Sequence, residues 1–161
     1  MNQSYYKSPA GLLSISASDR GITEVSFVKE QINDPVLSTD NSFIKECILQ
    51  LEAYFSGTSK TFSVPLDPKG TSFQKEVWAE LMNIPFGQSM AYLDLAIKLG
   101  DAKKIRAVGG ANGKNPIAII VPCHRVIGSD GSLTGYAGGM DKKRWLLKFE
   151  GVIKPDLFND Q

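Results

Sequence analysis

The sequence predicts an α+β protein of two small units, on three observations. Short runs in the first third alternate apolar and polar residues at the period of a half-buried strand. From residue 42, and again from 71 onward, apolar residues instead recur at the three-to-four spacing of amphipathic helices. Between these stretches Pro65, Pro68 and Gly70 mark a linker, which places one unit at 1–69 and the second at 70–161.

In the first unit, 5–8, 12–17 and 22–28 are the strand candidates, punctuated by Pro9-Ala-Gly11 and Ser18-Asp-Arg-Gly21. Ser38-Thr-Asp-Asn-Ser42 supplies capping side chains for a helix over about 42–56, closed by Gly57. Its apolar stripe, Phe43, Cys47, Leu51, Tyr54 and Phe55, makes Cys47 a core residue. The expected product is a small antiparallel sheet with one helix.

The second unit starts a helix at Thr71-Ser72, with Phe73, Val77, Trp78, Leu81 and Met82 on one face and Pro85-Phe86-Gly87 as its stop. A short helix over about 92–99 ends at Gly100, and a third runs from Asp101, an N-cap candidate, to Gly109-Gly110. Two short helices joined by a tight glycine turn suggest a helix-turn-helix, with 101–111 as the recognition element. Many helical domains hold such a turn without touching DNA. Arg106-Ala-Val-Gly-Gly-Ala111 is poor in bulk, and each glycine costs a helix about 1 kcal/mol relative to alanine. Either the glycines simply end the helix, or its backbone must approach something closely. The run Ile117-Ala-Ile-Ile-Val121 looks like a strand, and 141–150 forms a last helix with Trp145, Leu146 and Phe149 on one face.

Composition narrows the function. No stretch approaches the roughly 20 apolar residues of a membrane span, and the N-terminus lacks the apolar core of a secretion signal. Two cysteines do not make a disulfide scaffold, and one histidine with two scattered cysteines cannot build a four-ligand zinc site. A reducing compartment suits the free thiols. The net charge of +1 divides unevenly, −2 over residues 1–69 and +3 over 70–161. Lys98, Lys103, Lys104, Arg106, Lys114 and Arg125 are opposed over 98–125 only by Asp101, a weak sign of a polyanion-binding face.

Pro122-Cys123-His124-Arg125-Val126 places the only histidine directly beside a cysteine. A free thiol titrates about one to two pH units above neutrality and only the thiolate attacks, so an adjacent imidazole and guanidinium point to an activated nucleophile. A buried, inert Cys123 with a satisfied surface His124 is the plainer alternative.

At these residues the chain resembles the O6-alkylguanine-DNA alkyltransferase family, the methylated-DNA–protein-cysteine methyltransferases. Ala91-Tyr92, Arg106–Ala111, Asn115-Pro116, Pro122–Val126, Gly135-Tyr-Ala-Gly-Gly139 and Leu146-Leu-Lys-Phe-Glu150 match in order and spacing across 91–150. The resemblance implies an RNase-H-like N-terminal sheet and a winged helix-turn-helix-like C-terminal domain. It implies direct-reversal repair of DNA: Cys123 takes the alkyl group from O6-alkylguanine, with O4-alkylthymine a secondary candidate, and acts once.

The same resemblance assigns roles. His124 draws the thiol proton through a water, since neighbours on an extended chain point apart, and Glu150 orients His124. Asn115 ties the turn into the active-site strand. Tyr92 crowds the rotating phosphate and donates to the guanine ring. Tyr136, Ala137 and Gly138 form the pocket wall, with the Val126 and Cys123 carbonyls reading the exocyclic amine. Arg106 fills the gap left by the extruded base, while Ala107 and Gly109 let the helix enter the minor groove. Lys103, Lys104 and Arg125 are candidate phosphate contacts, with a structural role for Arg125 the alternative. Some members carry Ser where this chain has Ala137, so a shifted pocket preference, toward larger alkyl groups, is expected. No metal and no cofactor are expected. The partner is double-stranded DNA containing O6-alkylguanine, bound by a monomer in the cytoplasm, on a bacterial nucleoid, or in a eukaryotic nucleus. The competing readings are a non-catalytic damage sensor, a thiol hydrolase or phosphatase, and a plain DNA-binding regulator.

Overall fold

The computed structural model describes residues 2–154. Strands β1 (Asn2–Ser8), β2 (Gly11–Ala17) and β3 (Ile22–Phe27) form an antiparallel meander in chain order, with an irregularity at Ser16/Ala17. Helix α1 (Ser42–Phe55) packs on this sheet. It begins where Asn41 Oδ1 accepts from the Ile44 amide at 3.0 Å, so the capping run holds the first turn, which already carries Phe43 and Ile44. Ile44, Cys47, Leu51 and Tyr54 are its buried stripe.

The stretch between the units is stitched to the sheet. Ile22 N donates to the Pro65 carbonyl at 2.8 Å and Asp67 N to the Ile22 carbonyl at 2.7 Å. Gly21 and Gly70 are required by close approach: a Cβ on Gly21 would lie 2.5 Å from the Pro65 oxygen, and one on Gly70 2.5 Å from the Trp78 ring. The N- and C-terminal parts share one continuous apolar core, running from Leu13 and Ile15 through Leu51 and Leu81 to Leu146.

Helix α2 (Ser72–Leu81) starts in a capping box, Thr71 Oγ1 accepting from Gln74 N and Gln74 Oε1 from Thr71 N. It stops at Leu81, four residues before the proline expected to end it, because Asn83 and Ile84 close a turn on the Glu80 and Leu81 carbonyls. A two-residue strand β4 (Met90–Ala91) leads into α3 (Tyr92–Lys98). Asp101 caps a single 3-10 turn, Ala102–Lys104, accepting from Lys103 N at 2.9 Å, and α4 (Ile105–Gly113) follows directly. Gly109 and Gly110 therefore lie inside α4 and do not end it. Buried Val108, Ala111 and Asn112 carry the helix across them, and Trp78 Nε1 donates to the Ala111 carbonyl at 2.8 Å.

The run 117–121 is not a strand. Only Ile117 pairs, with Val25, and the chain then coils, with Ile119 at φ 72°. All four of Ile117, Ile119, Ile120 and Val121 are buried, so the apolar run fills the core and does not extend a sheet. A continuous apolar run cannot by periodicity be told from such core coil. Strand β5 (Val126–Ile127) pairs parallel with β4, and α5 (Met140–Phe149) closes the chain over it. No helix among the described residues is long and apolar enough to cross a membrane.

Candidate active site

Cys123 is placed by two asparagines. Asn115 Nδ2 donates to the carbonyls of Val121 (2.8 Å) and Ile117 (3.2 Å), while its Oδ1 accepts from Ile117 N at 3.0 Å. Asn112, from inside α4, donates to the Cys123 carbonyl at 3.3 Å. These bonds fold the coil back on itself, and Cys123, His124 and Arg125 form a 3-10 turn. The expectation of an extended chain at this point is overturned. The thiol borders a chamber of about 140 Å³ whose walls include Val25 and Phe27 of β3, Asn115, Tyr136, Ala137 and Gly138. Burial pushes the Cys123 thiol up to about 11, opposed by the Asn115 side chain and the Lys143 charge. At neutral pH it is protonated, and reaction requires a base.

The candidate base is the next residue in the chain. His124 is fully buried and its Nε2 is 2.8 Å from Glu150 Oε2. Burial lowers the imidazole's affinity for a proton, against the pull of Glu150, so the ring is neutral at neutral pH. A carboxylate at Nε2 makes that nitrogen the N–H donor, leaving Nδ1 as the acceptor; no described residue bonds to Nδ1. Burial raises Glu150, but the hydrogen bonds and charges of His124 and Arg125 outweigh it and hold the carboxyl at about 2.

Arg125 corrects the sequence expectation of a phosphate contact. Its Nε and NH2 donate to Glu150 at 2.8 and 2.9 Å, and NH1 donates to the Ile84 carbonyl at 2.6 Å. With three of its five N–H donors engaged inside the protein and only 6% exposed, it points into the fold. The third side chain on the carboxylate is Tyr54, whose hydroxyl donates to Oε2 at 2.6 Å.

Beside the thiol chamber, and sharing Tyr136 and Ala137 with it, lies a cleft of about 530 Å³ between α4 and the loop at 134–137. Tyr92, Gly109 and Gly113 line its other side. Tyr92 is half-buried and donates to the Thr134 carbonyl at 3.2 Å. Lys143, fully buried, donates to the carbonyls of Val126 (2.7 Å) and Thr134 (2.8 Å), so the Val126 carbonyl already holds one donor. Burial pulls the Lys143 ammonium down to about 8. On the outer side, Lys103, Lys104, Arg106 and Ala107 are exposed, and Gly109 is half-buried beside the Tyr92 ring.

Two family models match the chain: the ribonuclease-like domain of 6-O-methylguanine DNA methyltransferase over residues 1–68 and its DNA-binding domain over 72–152. The chain belongs to the 6-O-methylguanine DNA methyltransferase family. Among relatives named methylated-DNA–protein-cysteine methyltransferase, that of Methanosarcina acetivorans is 48% identical over 154 residues, covering 94% of this chain and 99% of that one. That of Haemophilus influenzae is 43% identical, covering 92% and 85%. The crystal structure of Mycobacterium tuberculosis OGT in complex with DNA superposes with a TM-score of 0.83 at 41% identity, covering 94% of this chain and 93% of that one. The α+β architecture of this methyltransferase-family chain, with a small antiparallel sheet and a helical DNA-binding part, is that of those structures.

Three residues of this methyltransferase-family site had no functional reading in the sequence. Tyr54 looks like core on its helical stripe, Asn112 falls just past the recognition element at 101–111, and Lys143 looks like part of the solvated face Asp141-Lys-Lys-Arg144. A lysine one helical position off the charged face, at the turn where Leu146 and Leu147 take over, is the only local hint for the last.

Proposed function

We propose that the protein is a direct-reversal DNA repair protein that transfers the alkyl group of O6-alkylguanine irreversibly to Cys123. The observation that supports it most is the neutral His124, held at Nε2 by Glu150 with Nδ1 unengaged, in the residue directly after a buried, protonated thiol.

The thiol proton passes to His124 Nδ1 through a water. The sulfur attacks the alkyl carbon, the C–S bond forms as C–O6 breaks, and the electron pair leaves on the guanine oxygen. The guanine takes up one proton, to which the Tyr92 hydroxyl, now on the Thr134 carbonyl, is the near donor. The net change moves the thiol proton to guanine and the alkyl group to sulfur. A thioether is a poor leaving group, so each protein acts once.

To reach the thiol the base must leave the duplex, at a cost of a few kcal/mol. Arg106 would occupy the vacated stack, and the small surface of Ala107, Gly109 and Gly110 would let α4 press into the minor groove. Lys103 and Lys104 are the phosphate contacts; Arg125 is not. Tyr136, Ala137 and Gly138 bound the space for the base, and the absence of a hydroxyl at Ala137 leaves recognition of O6 to backbone amides. The protein acts as a monomer on duplex DNA, without a cofactor, and the 1–69 and 70–161 parts work as a support and a DNA-reading unit.

Cys123→Ala tests this directly. It should keep its affinity for an O6-methylguanine duplex and transfer nothing, whereas residual transfer would move the acceptor to Cys47. Cys47, pushed up to about 12 by burial on α1, is poorly suited to that role.

A further inference from the structure

We propose that Tyr54 is a positioning residue for the transfer step: its hydroxyl fixes the carboxylate oxygen of Glu150 from which His124 is held. The proposal rests on the alkyl-transfer reading above and deepens it by making the N-terminal part a contributor to the chemistry.

Tyr54 lies on α1 of the N-terminal part, 96 positions before Glu150, and is 1% exposed. Its ring is held from several sides, with centroids 4.9 Å from Phe55, 5.6 Å from Phe62, 5.9 Å from Phe86 and 5.2 Å from Phe149. A ring so packed gives its hydroxyl a fixed position. That hydroxyl makes the shortest of the contacts to Oε2, 2.6 Å against 2.8 Å from His124 Nε2 and 2.9 Å from Arg125 NH2. Glu150 is the C-cap of α5: its N–H still donates to the Leu146 carbonyl at 2.9 Å, and the chain turns away at Gly151, at φ 79°. Its carboxylate is held by four donors from three side chains, Tyr54, His124 and Arg125.

The chemical consequence follows from sharing one oxygen. Every donor on Oε2 withdraws charge that would otherwise stabilise a protonated His124. Tyr54 therefore tempers the basicity of the imidazole while fixing its direction. The other charged or titratable groups facing this cluster are Arg125 beside it, Lys143 of α5, and Cys123 and Tyr136 on the chamber side. Of these only Arg125 bonds to Oε2, through NH2 at 2.9 Å, and its Nε bonds to Oε1 at 2.8 Å.

The chain has a single histidine, so one imidazole Hε1 resonance of the untagged protein reports its titration. In Tyr54→Phe, which keeps the ring, the His124 midpoint should rise by about half a pH unit or more. The acid limb of single-turnover transfer to an O6-methylguanine duplex should rise with it, while duplex affinity stays unchanged. Tyr54→Leu removes ring and hydroxyl together and should show the same titration shift with a larger loss in Tm. If the Phe variant titrates with the wild type and only the Leu variant departs, Tyr54 is a packing residue and the proposal fails. A wild-type protein that transfers nothing sinks the alkyl-transfer reading itself, which the histidine titration distinguishes from a failure of Tyr54 to bear on His124.

Discussion

Replacing Glu150 by glutamine removes one negative charge from a point where Tyr54, His124 and two nitrogens of Arg125 converge within 2.9 Å. The guanidinium is then left buried without a counter-charge, and the glutamine NH2 faces donors where a carboxylate oxygen stood. Breaking a buried pair from one side costs about 3–5 kcal/mol. The carboxyl's own titration gives a similar size: held at about 2 against an ordinary 4.5, it contributes about 3 kcal/mol. For a chain of this length, a loss of that size lowers Tm by about 6–20 °C. Because the folded value is depressed, the stabilisation is present above about pH 4.5 and is lost as pH falls toward 2. His124 adds an earlier loss below its unfolded value of about 6.5, since its buried ring resists the proton the unfolded chain would take. Urea unfolding of wild type and Glu150→Gln at pH 7 and pH 3 measures both. The variant should be about 3 kcal/mol or more weaker at pH 7, with much of that gap closed at pH 3. A gap under about 1 kcal/mol at pH 7, within the range of exposed ion pairs, would refute the view of Glu150 as a buried, ionised hub.

Arg106→Ala should slow transfer from duplex DNA about tenfold or more, yet leave reaction with the free modified base nearly unchanged, because only the duplex requires extrusion; equal losses would remove that role. Gly110→Ala should stabilise the free protein by about 0.5–1 kcal/mol, since a Cβ there meets nothing within 4 Å. The same variant should bind duplex DNA more weakly if α4 lies against the groove, and unchanged affinity would contradict that docking. Affinity for undamaged duplex should fall steeply between 50 and about 200 mM salt as counterions are released, and a flat response would remove the basic-face argument.

Local patterns in the sequence carried much of the fold. The alternation of β1 to β3, the capping residues Asn41 and Thr71, and the helical stripes of α1 and α2 are short-range features that the structure retains. The apolar run 117–121 reads as a strand but folds as buried coil, because the two share one composition. Gly109 and Gly110 were ambiguous because glycine's cost in a helix is small beside the burial of Val108, Ala111 and Asn112 around them. In the site, Cys123 and His124 stand out because they are adjacent, while the pairing of His124 with Glu150 came from the family resemblance. Arg125 was placed among phosphate contacts because a cation beside a reactive motif has the same sequence signature whether it faces DNA or a buried carboxylate. Tyr54 and Lys143 were invisible as site residues for a related reason. Their partners, Glu150 and the carbonyls of Val126 and Thr134, meet them only when the chain closes.

The central claim is most directly tested by intact mass before and after incubation with excess duplex containing O6-methylguanine. The account predicts a gain of one methyl group per protein, on Cys123, that saturates and does not turn over. Unmodified protein that binds the damaged duplex tightly would make this chain a damage sensor with an idle thiol, and unmodified protein that repairs repeatedly would make it a hydrolase; either contradicts the account.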